Sequence, residues 1–309
     1  MSALGFLVIL VFLAGGSAFL AGALLFPLWT AACTARPSLA RGTVVVAALP
    51  WLIGFSVLLA ALLPGDPHLS QLLSCHCHGS MPEWVHLCPV HPGNSLALLP
   101  IAIAALLVLA PGRIRALREV LAQPIGHGGA PVVTDLPAPT AILVGWLRPT
   151  LAIDRRLWTG LDPDHRRAIL AHEDAHLGRR DPLVLHVLRL LCVLAPRRSG
   201  ARLIKAWLHR AETTADAVAA RHLGDPLLLA SALLRCARLG ARAPVPALSW
   251  TGGDLSDRVH RLMGSPGAPA EGPDAGLADG VLLVLLGLLV AASSPWVHHE
   301  LEHLLNLSF

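Results

Sequence analysis

Apolar residues along this 309-residue chain are clumped, and the clumps decide its architecture before any chemistry is considered. Four stretches contain no charged residue and are long enough for a bilayer, at roughly 3–32, 42–65, 94–111 and 280–297. They predict four transmembrane helices. The first is too long for the core of a signal peptide and follows no basic segment, so it reads as a retained span. Ala14, Ala18 and Gly22 within it sit four residues apart, a spacing that lets two helices approach closely.

The pattern changes after residue 112. Residues 131–153, PVVTDLPAPTAILVGWLRPTLAI, carry short β-branched and apolar runs broken by Pro and Gly, which predicts two or three strands. The segment GLDPDHRRAILAHEDAHLG then has the marks of a helix start, with Asp162 as N-cap, Pro163 at the first helical position and Asp164 in the first turn. Gly178 is placed to end that helix, and Asp181-Pro182 to stop what remains of it. Residues 183–195, LVLHVLRLLCVLA, are apolar but interrupted by His186 and Arg189, and predict a buried or membrane-skimming helix. Further helices are expected at about 200–223, 226–240 and 255–264, the last with Ser256 as its cap. No internal repeat is visible.

The expected fold class is therefore a mostly α membrane protein carrying an α+β cytoplasmic domain with a small sheet. Residues 1–111 would hold three spans and an outer loop at 66–93, and 112–263 the cytoplasmic domain. A Gly/Pro-rich linker at 264–279 leads to a fourth span at 280–297 and a short outer tail at 298–309.

Composition supports this picture, with a mean hydropathy of +0.60. Charged residues are 14% of the chain and tyrosine is absent. A net charge of +4 is less informative than its placement: all 24 Lys and Arg lie at 36–41 or between 113 and 261. By the positive-inside rule the N-terminus is out, 33–41 in, 66–93 out, 112–279 in, and the C-terminus out. Basic content is thus a topology signal and no direct nucleic-acid contact is expected. Arg197, Arg198, Arg202 and Lys205 would face lipid headgroups.

Candidate chemistry concentrates at 168–183, AILAHEDAHLGRRDPL, where His172, Glu173, Asp174 and His176 crowd into little more than one helical turn. Residues i and i+4 stand on one helix face, so His172 and His176 can present two imidazoles to one ion. Their spacing suits Zn2+. Glu173, rotated by about 100° from His172, could act as general base on a water there without ligating the ion. A catalytic zinc wants three protein ligands and an open position. In HRAETTADAVAARH, Glu212 and Asp216 are again at i, i+4: Glu212 can complete the ligand set, and Asp216 can fix a ligand histidine's tautomer. The plain alternative is two surface histidines on an amphipathic helix and an ordinary solvated acidic face on a later one.

GWLRPTLAI, then HEDAHLGRRD on an acid-capped helix, then AETTADAV together resemble the BlaR/MecR antirepressor family of integral-membrane zinc metalloproteases, relatives of the HtpX and CAAX prenyl endopeptidases. The similarity covers about 131–262, and three spans before it with one after match the family's layout. The resemblance implies a gluzincin-type metalloprotease domain, with zinc on His172, His176 and Glu212, Glu173 as general base, and Asp216 in support. Two features depart from it. Asp174 stands where the family usually has an apolar residue. Only about a dozen residues follow the fourth span, where the antibiotic sensors carry a penicillin-binding domain, and the chain has no SxxK pattern. Sensing of a β-lactam by acylation is therefore not expected.

The loop SCHCHGSMPEWVHLCPVHP places Cys75, Cys77, Cys88, His76, His78, His86 and His91 on the predicted outer side, joined by His298, His299 and His303 in the tail. A disulfide between Cys88 and either Cys75 or Cys77 is one reading; a copper or zinc sensor is the other. Cys33, Cys192 and Cys236 read as small buried residues. The function expected is a membrane zinc endopeptidase cutting a protein on the cytoplasmic side, for instance a transcriptional repressor, in response to an outside signal. The rivals are an HtpX-like quality-control protease and a non-catalytic metal-sensing receptor. Substrate, stimulus, oxyanion-stabilising residue and oligomeric state are not encoded legibly.

Overall fold

Charge-free runs become helices because a helix satisfies every backbone N–H and C=O within the segment. The computed structural model describes residues 3–35, 42–62, 99–240 and 253–264. Its first three helices are α1 (Ala3–Ala35), α2 (Thr43–Leu62) and α3 (Leu99–Leu121). Among the described residues one helix, over Val11–Cys33 in α1, is long and apolar enough to cross a membrane by length and composition; the apolar part of α2, Thr43–Phe55, is shorter. The third predicted span differs at its end, because α3 continues past Pro111 to Leu121 and carries Arg113, Arg115 and Arg118. Proline does not stop a helix whose freed carbonyl is otherwise accommodated. The fourth predicted span, the 66–93 loop with Cys75, His76, Cys77, His78 and Cys88, and the 298–309 tail lie outside the described residues.

The chain divides into two compact units. The described part of the first contains α1, α2, α3 as far as Glu119, and residues Arg189–Leu203. Here the small-residue spacing has a physical consequence. Ala18 is fully buried, and a Cβ added at Gly54 of α2 would come within 2.8 Å of the Ala14 carbonyl oxygen. Trp29 Nε1 donates to Thr43 Oγ1 across the same pair of helices at 3.2 Å. The Arg113 guanidinium donates to the carbonyl oxygens of Val193 and Ala195 and lies over the Phe19 ring.

The second unit is built on a three-stranded mixed sheet in the order β1-β3-β2, with β1 (Val132–Thr134), β2 (Ala141–Val144) and β3 (Thr150–Asp154). β1 runs parallel to β3 and β2 antiparallel to it, with Val133 opposite Ile153 and Ile142 opposite Ala152. The β2–β3 turn needs glycine: Gly145 (φ 101) and Gly126 (φ 87) pass so close that a Cβ on Gly145 would lie 2.8 Å from the Gly126 nitrogen. At the end of β3, Asp154 caps the short helix α4 (Arg155–Gly160), an element the apolar pattern does not announce. Its carboxylate accepts from the backbone N–H of Arg156 at 2.9 Å and of Leu136 at 2.8 Å.

Five further helices follow: α5 (Pro163–Gly178), α6 (Asp181–Leu191), α7 (Arg197–Leu223), α8 (Pro226–Gly240) and α9 (Gly253–Gly264). α5 begins as its sequence expects, with Asp162 accepting from the His165 N–H at 2.9 Å and Pro163 at the first position. Three local expectations are corrected. Asp181-Pro182 opens α6 instead of ending α5, because the left-handed Arg180 (φ 57) has already turned the chain. The apolar helix predicted at 183–195 ends at Leu191. Ser256 lies inside α9, which starts at Gly253, and its hydroxyl faces His260 Nδ1 at 3.4 Å.

The core of this unit joins Leu151 and Ile153 of β3, Leu157 of α4, Ala168 and Ile169 of α5, Leu229 and Leu233 of α8, and Val259 and Leu262 of α9. α5 packs on α8 and on β2. His165 pins the start of α5 to α8, with Nδ1 2.7 Å from Asp162 and Nε2 3.0 Å from Ser231 Oγ. The side chains of Cys33, Cys192 and Cys236 are buried, as small apolar residues would be.

Candidate metal centre

Burial of one face of α5 carries His172 and Glu173 inward with Ala168, Ile169, Ala171 and Ala175. His172 is 1% exposed and Glu173 5%. Asp174, one position on, is exposed and takes no part. The i, i+4 relation puts His172 and His176 on one side of the helix, their Nε2 atoms 3.2 Å apart and their rings edge to face.

Glu212 of α7 meets this pair. Its Oε2 is 3.4 Å from His172 Nε2 and its Oε1 3.7 Å from His176 Nε2. His172, His176 and Glu212 each offer a ligand atom to a group whose members lie within 4.8 Å of one another. An ion held tetrahedrally at the usual zinc–nitrogen and zinc–oxygen lengths needs donor atoms about 3.3–3.5 Å apart. The three closest separations fall around that figure, and two imidazoles plus one carboxylate are a donor set that zinc accepts. The residues fit the ion.

Both histidines of this group are held from behind by carboxylates. His172 Nδ1 lies 3.1 Å from Asp216 Oδ1, and His176 Nδ1 2.6 Å from Asp181 Oδ2. With a metal bound, a carboxylate at Nδ1 would keep the ring proton there and leave Nε2 to offer its lone pair to the ion. Asp216 sits one turn beyond Glu212 on α7, as its spacing suggested. Asp181 is an addition: five residues after His176 and across a helix break, it looks like punctuation in the sequence. The tight turn through Arg180 is what swings it back onto His176.

Arg258 is the second addition. This α9 guanidinium is 3% exposed and pairs with both acidic residues of α7. Nε and Nη2 donate to Asp216 at 2.7 and 2.8 Å, and Nη1 lies 2.8 Å from Glu212 Oε2. A signal for it existed. Leu255, Val259 and Leu262 form the apolar stripe of α9, and Arg258 falls inside that stripe, where an unpaired charge would be prohibitive.

The electrostatics follow from these pairs. Burial disfavours the His172 imidazolium, but Asp216 and Glu212 outweigh it and push its pKa up to about 10. Burial likewise disfavours the Asp216 carboxylate, yet His172 and Arg258 bring it down to about 2. Glu173 is different. Burial raises its pKa, opposed by the fields of His172 and His176, and among the described residues it makes no hydrogen bond or ion pair. It is a buried carboxyl without a fixed partner beside a cluster of ligand atoms, the state expected of a group that exchanges protons. Cys236 of α8 feels the Glu173 charge, but burial above all pushes its thiol up to about 12, so it stays protonated and inert. His222, in the last turn of α7, is exposed. Comparison with protein-family models, with curated proteins and with solved structures returned no match to this chain.

Proposed function

We propose that the chain is a membrane-bound zinc metalloendopeptidase that hydrolyses a protein substrate. The observation that carries this reading is the convergence of His172 Nε2, His176 Nε2 and the Glu212 carboxylate beside a buried, unpartnered Glu173. A zinc ion at such a set supplies Lewis acidity, polarising a peptide carbonyl and acidifying water. The protein supplies the rest. Asp216 and Asp181 hold the imidazoles in one tautomer and orientation. Glu173, whose burial raises its proton affinity, takes the proton of the attacking water and delivers it to the leaving amine nitrogen. No tyrosine is present to bind the developing oxyanion.

The membrane assignment rests on α1 and on the charge-free stretches of the sequence, and the four-span topology on the placement of Lys and Arg. In that topology the metal centre faces the cytoplasm. The resemblance of HEDAHLGRRD and AETTADAV to the antirepressor proteases favours a signalling role, with a transcriptional repressor as substrate, over general quality control.

The deciding experiment compares the wild-type chain and Glu173→Gln in detergent, with zinc content and cleavage of an unfolded protein measured on the same samples. One zinc in each and hydrolysis only by wild type is the expected result. Equal hydrolysis by both removes Glu173 from the chemistry. Zinc in both and hydrolysis by neither leaves a structural ion in a non-catalytic receptor.

A further inference from the structure

Two carboxylates stand one helical turn apart on α7, and either is chemically able to ligate a metal. Glu212 Oε2 lies 3.4 Å from His172 Nε2, whereas Asp216 Oδ1 lies 3.1 Å from the opposite nitrogen of the same ring. One imidazole is thus held between two acids, and something must decide which acid faces the ion. The group that touches both is Arg258. Its Nε and Nη2 grip the two Asp216 oxygens side by side, and its third nitrogen, Nη1, reaches Glu212 Oε2.

We infer that Arg258 is a positioning residue for the metal centre: it holds Asp216 behind His172 and Glu212 toward the imidazole pair. The inference rests on the metal-site reading above and extends it to α9, an element with no ligand of its own. The planar guanidinium suits the task, since its rigid fork binds one carboxylate with two parallel hydrogen bonds while a third nitrogen remains free. Charge points the same way. Glu173, Glu212 and Asp216 are three acidic groups around His172, and Arg258 is a buried cation whose charge acts on all three. Without it Glu212 and Asp216 repel each other across one turn and compete for His172. α9 is fixed independently of this contact by the burial of Val259 and Leu262, and Arg261 Nη1 donates to Thr213 Oγ1 at 2.9 Å. The guanidinium is therefore delivered to a set place.

The test is metal affinity in the full chain, titrated with Zn2+ against a chromophoric chelator, for wild type, Arg258→Gln, Arg258→Lys, Asp216→Asn and the pair Arg258→Gln/Asp216→Asn. Partners that orient ligands typically alter affinity by about 10–100-fold, so Arg258→Gln is expected to bind zinc that much more weakly. Arg258→Lys should fall between, because a single ammonium replaces the charge but not the fork. The double variant should lose less than the losses of Arg258→Gln and of Asp216→Asn alone multiplied together, since Arg258 acts in part through Asp216. Thermal unfolding of the metal-free proteins separates stability from affinity. Wild-type zinc affinity in both Arg258 single variants overturns the inference, even if both melt earlier. Failure of the wild-type chain to bind zinc at all overturns the metal reading itself. Should Arg258→Gln not fold, Arg258→Lys still decides the matter.

Discussion

Asp181 Oδ2 lies 2.6 Å from Nδ1 of His176, a contact made across the break between two helices. It mirrors the approach of Asp216 to His172, so each imidazole of the candidate metal centre carries its own carboxylate. Asp181 is also only 7% exposed, with Arg179 Nε 3.4 Å from its other oxygen.

Replacing Asp181 by Asn keeps the size and removes the charge that fixes the His176 tautomer. Zinc affinity is expected to drop by about 10–100-fold, with hydrolysis falling in proportion at limiting metal. Asp174→Asn, on the exposed side of the same helix, should leave both unchanged. Chelator competition on the two variants checks this. Equal affinities would remove Asp181 from the site.

Asp154 couples the sheet to α4, and its behaviour with pH is predictable. Burial would raise its pKa, but hydrogen bonds from Arg156 and from the Leu136 and Arg156 backbone N–H groups hold it below the ordinary aspartate value. A depressed native pKa stabilises the fold in full above the ordinary value, and the contribution fades as pH falls through the native one. Asp154→Asn should therefore cost about 1 kcal/mol near neutrality and progressively less toward pH 3. Denaturant titrations at a series of pH values measure the difference; a gap that stays constant with pH contradicts the charge assignment.

Leu233 is fully buried where α8 meets the motif helix. Leu233→Ala should destabilise the second unit by about 2–5 kcal/mol through lost burial and the cavity left behind. Because zinc would bind only the folded protein, it is expected to protect the variant, raising its unfolding midpoint when metal is added. Thermal melts with and without zinc give both numbers.

Two glycines should respond oppositely to alanine. At Gly126 (φ 87) a Cβ would run into the Arg148 carbonyl oxygen, and the left-handed backbone disfavours any side chain. Gly126→Ala is expected to destabilise by more than about 1 kcal/mol. At Gly178 nothing lies within 4 Å of the added Cβ, and alanine should be neutral or stabilising by about 0.4–1 kcal/mol. Unfolding midpoints of the two variants test the contrast.

Several features of this protein were legible because a local cause creates them. Asp162 and Pro163 start α5 because an N-cap oxygen and a preset φ act within one turn. The HExxH spacing puts two imidazoles on one face by helix geometry alone, and ExxxD does the same for Glu212 and Asp216. Small residues at 14, 18 and 22 fit a close helix neighbour for the same local reason. These relations need no knowledge of what lies elsewhere in the chain.

What required the folded chain was the choice of partners among many polar residues. Nothing in the spacing of HRAETTADAV brings Glu212 to the His172–His176 pair; the core that Ala171 of α5 and Ala219 of α7 share does that. Asp181 turns back onto His176 only because Arg180 adopts a left-handed backbone, and Arg258 reaches Asp216 and Glu212 only because α9 buries Val259 and Leu262. Such contacts join residues up to 46 positions apart, from Glu212 to Arg258. Local propensity acts over a few residues, so the meeting of distant charges is settled by burial, where leaving any one of them unpaired would cost more than bringing them together.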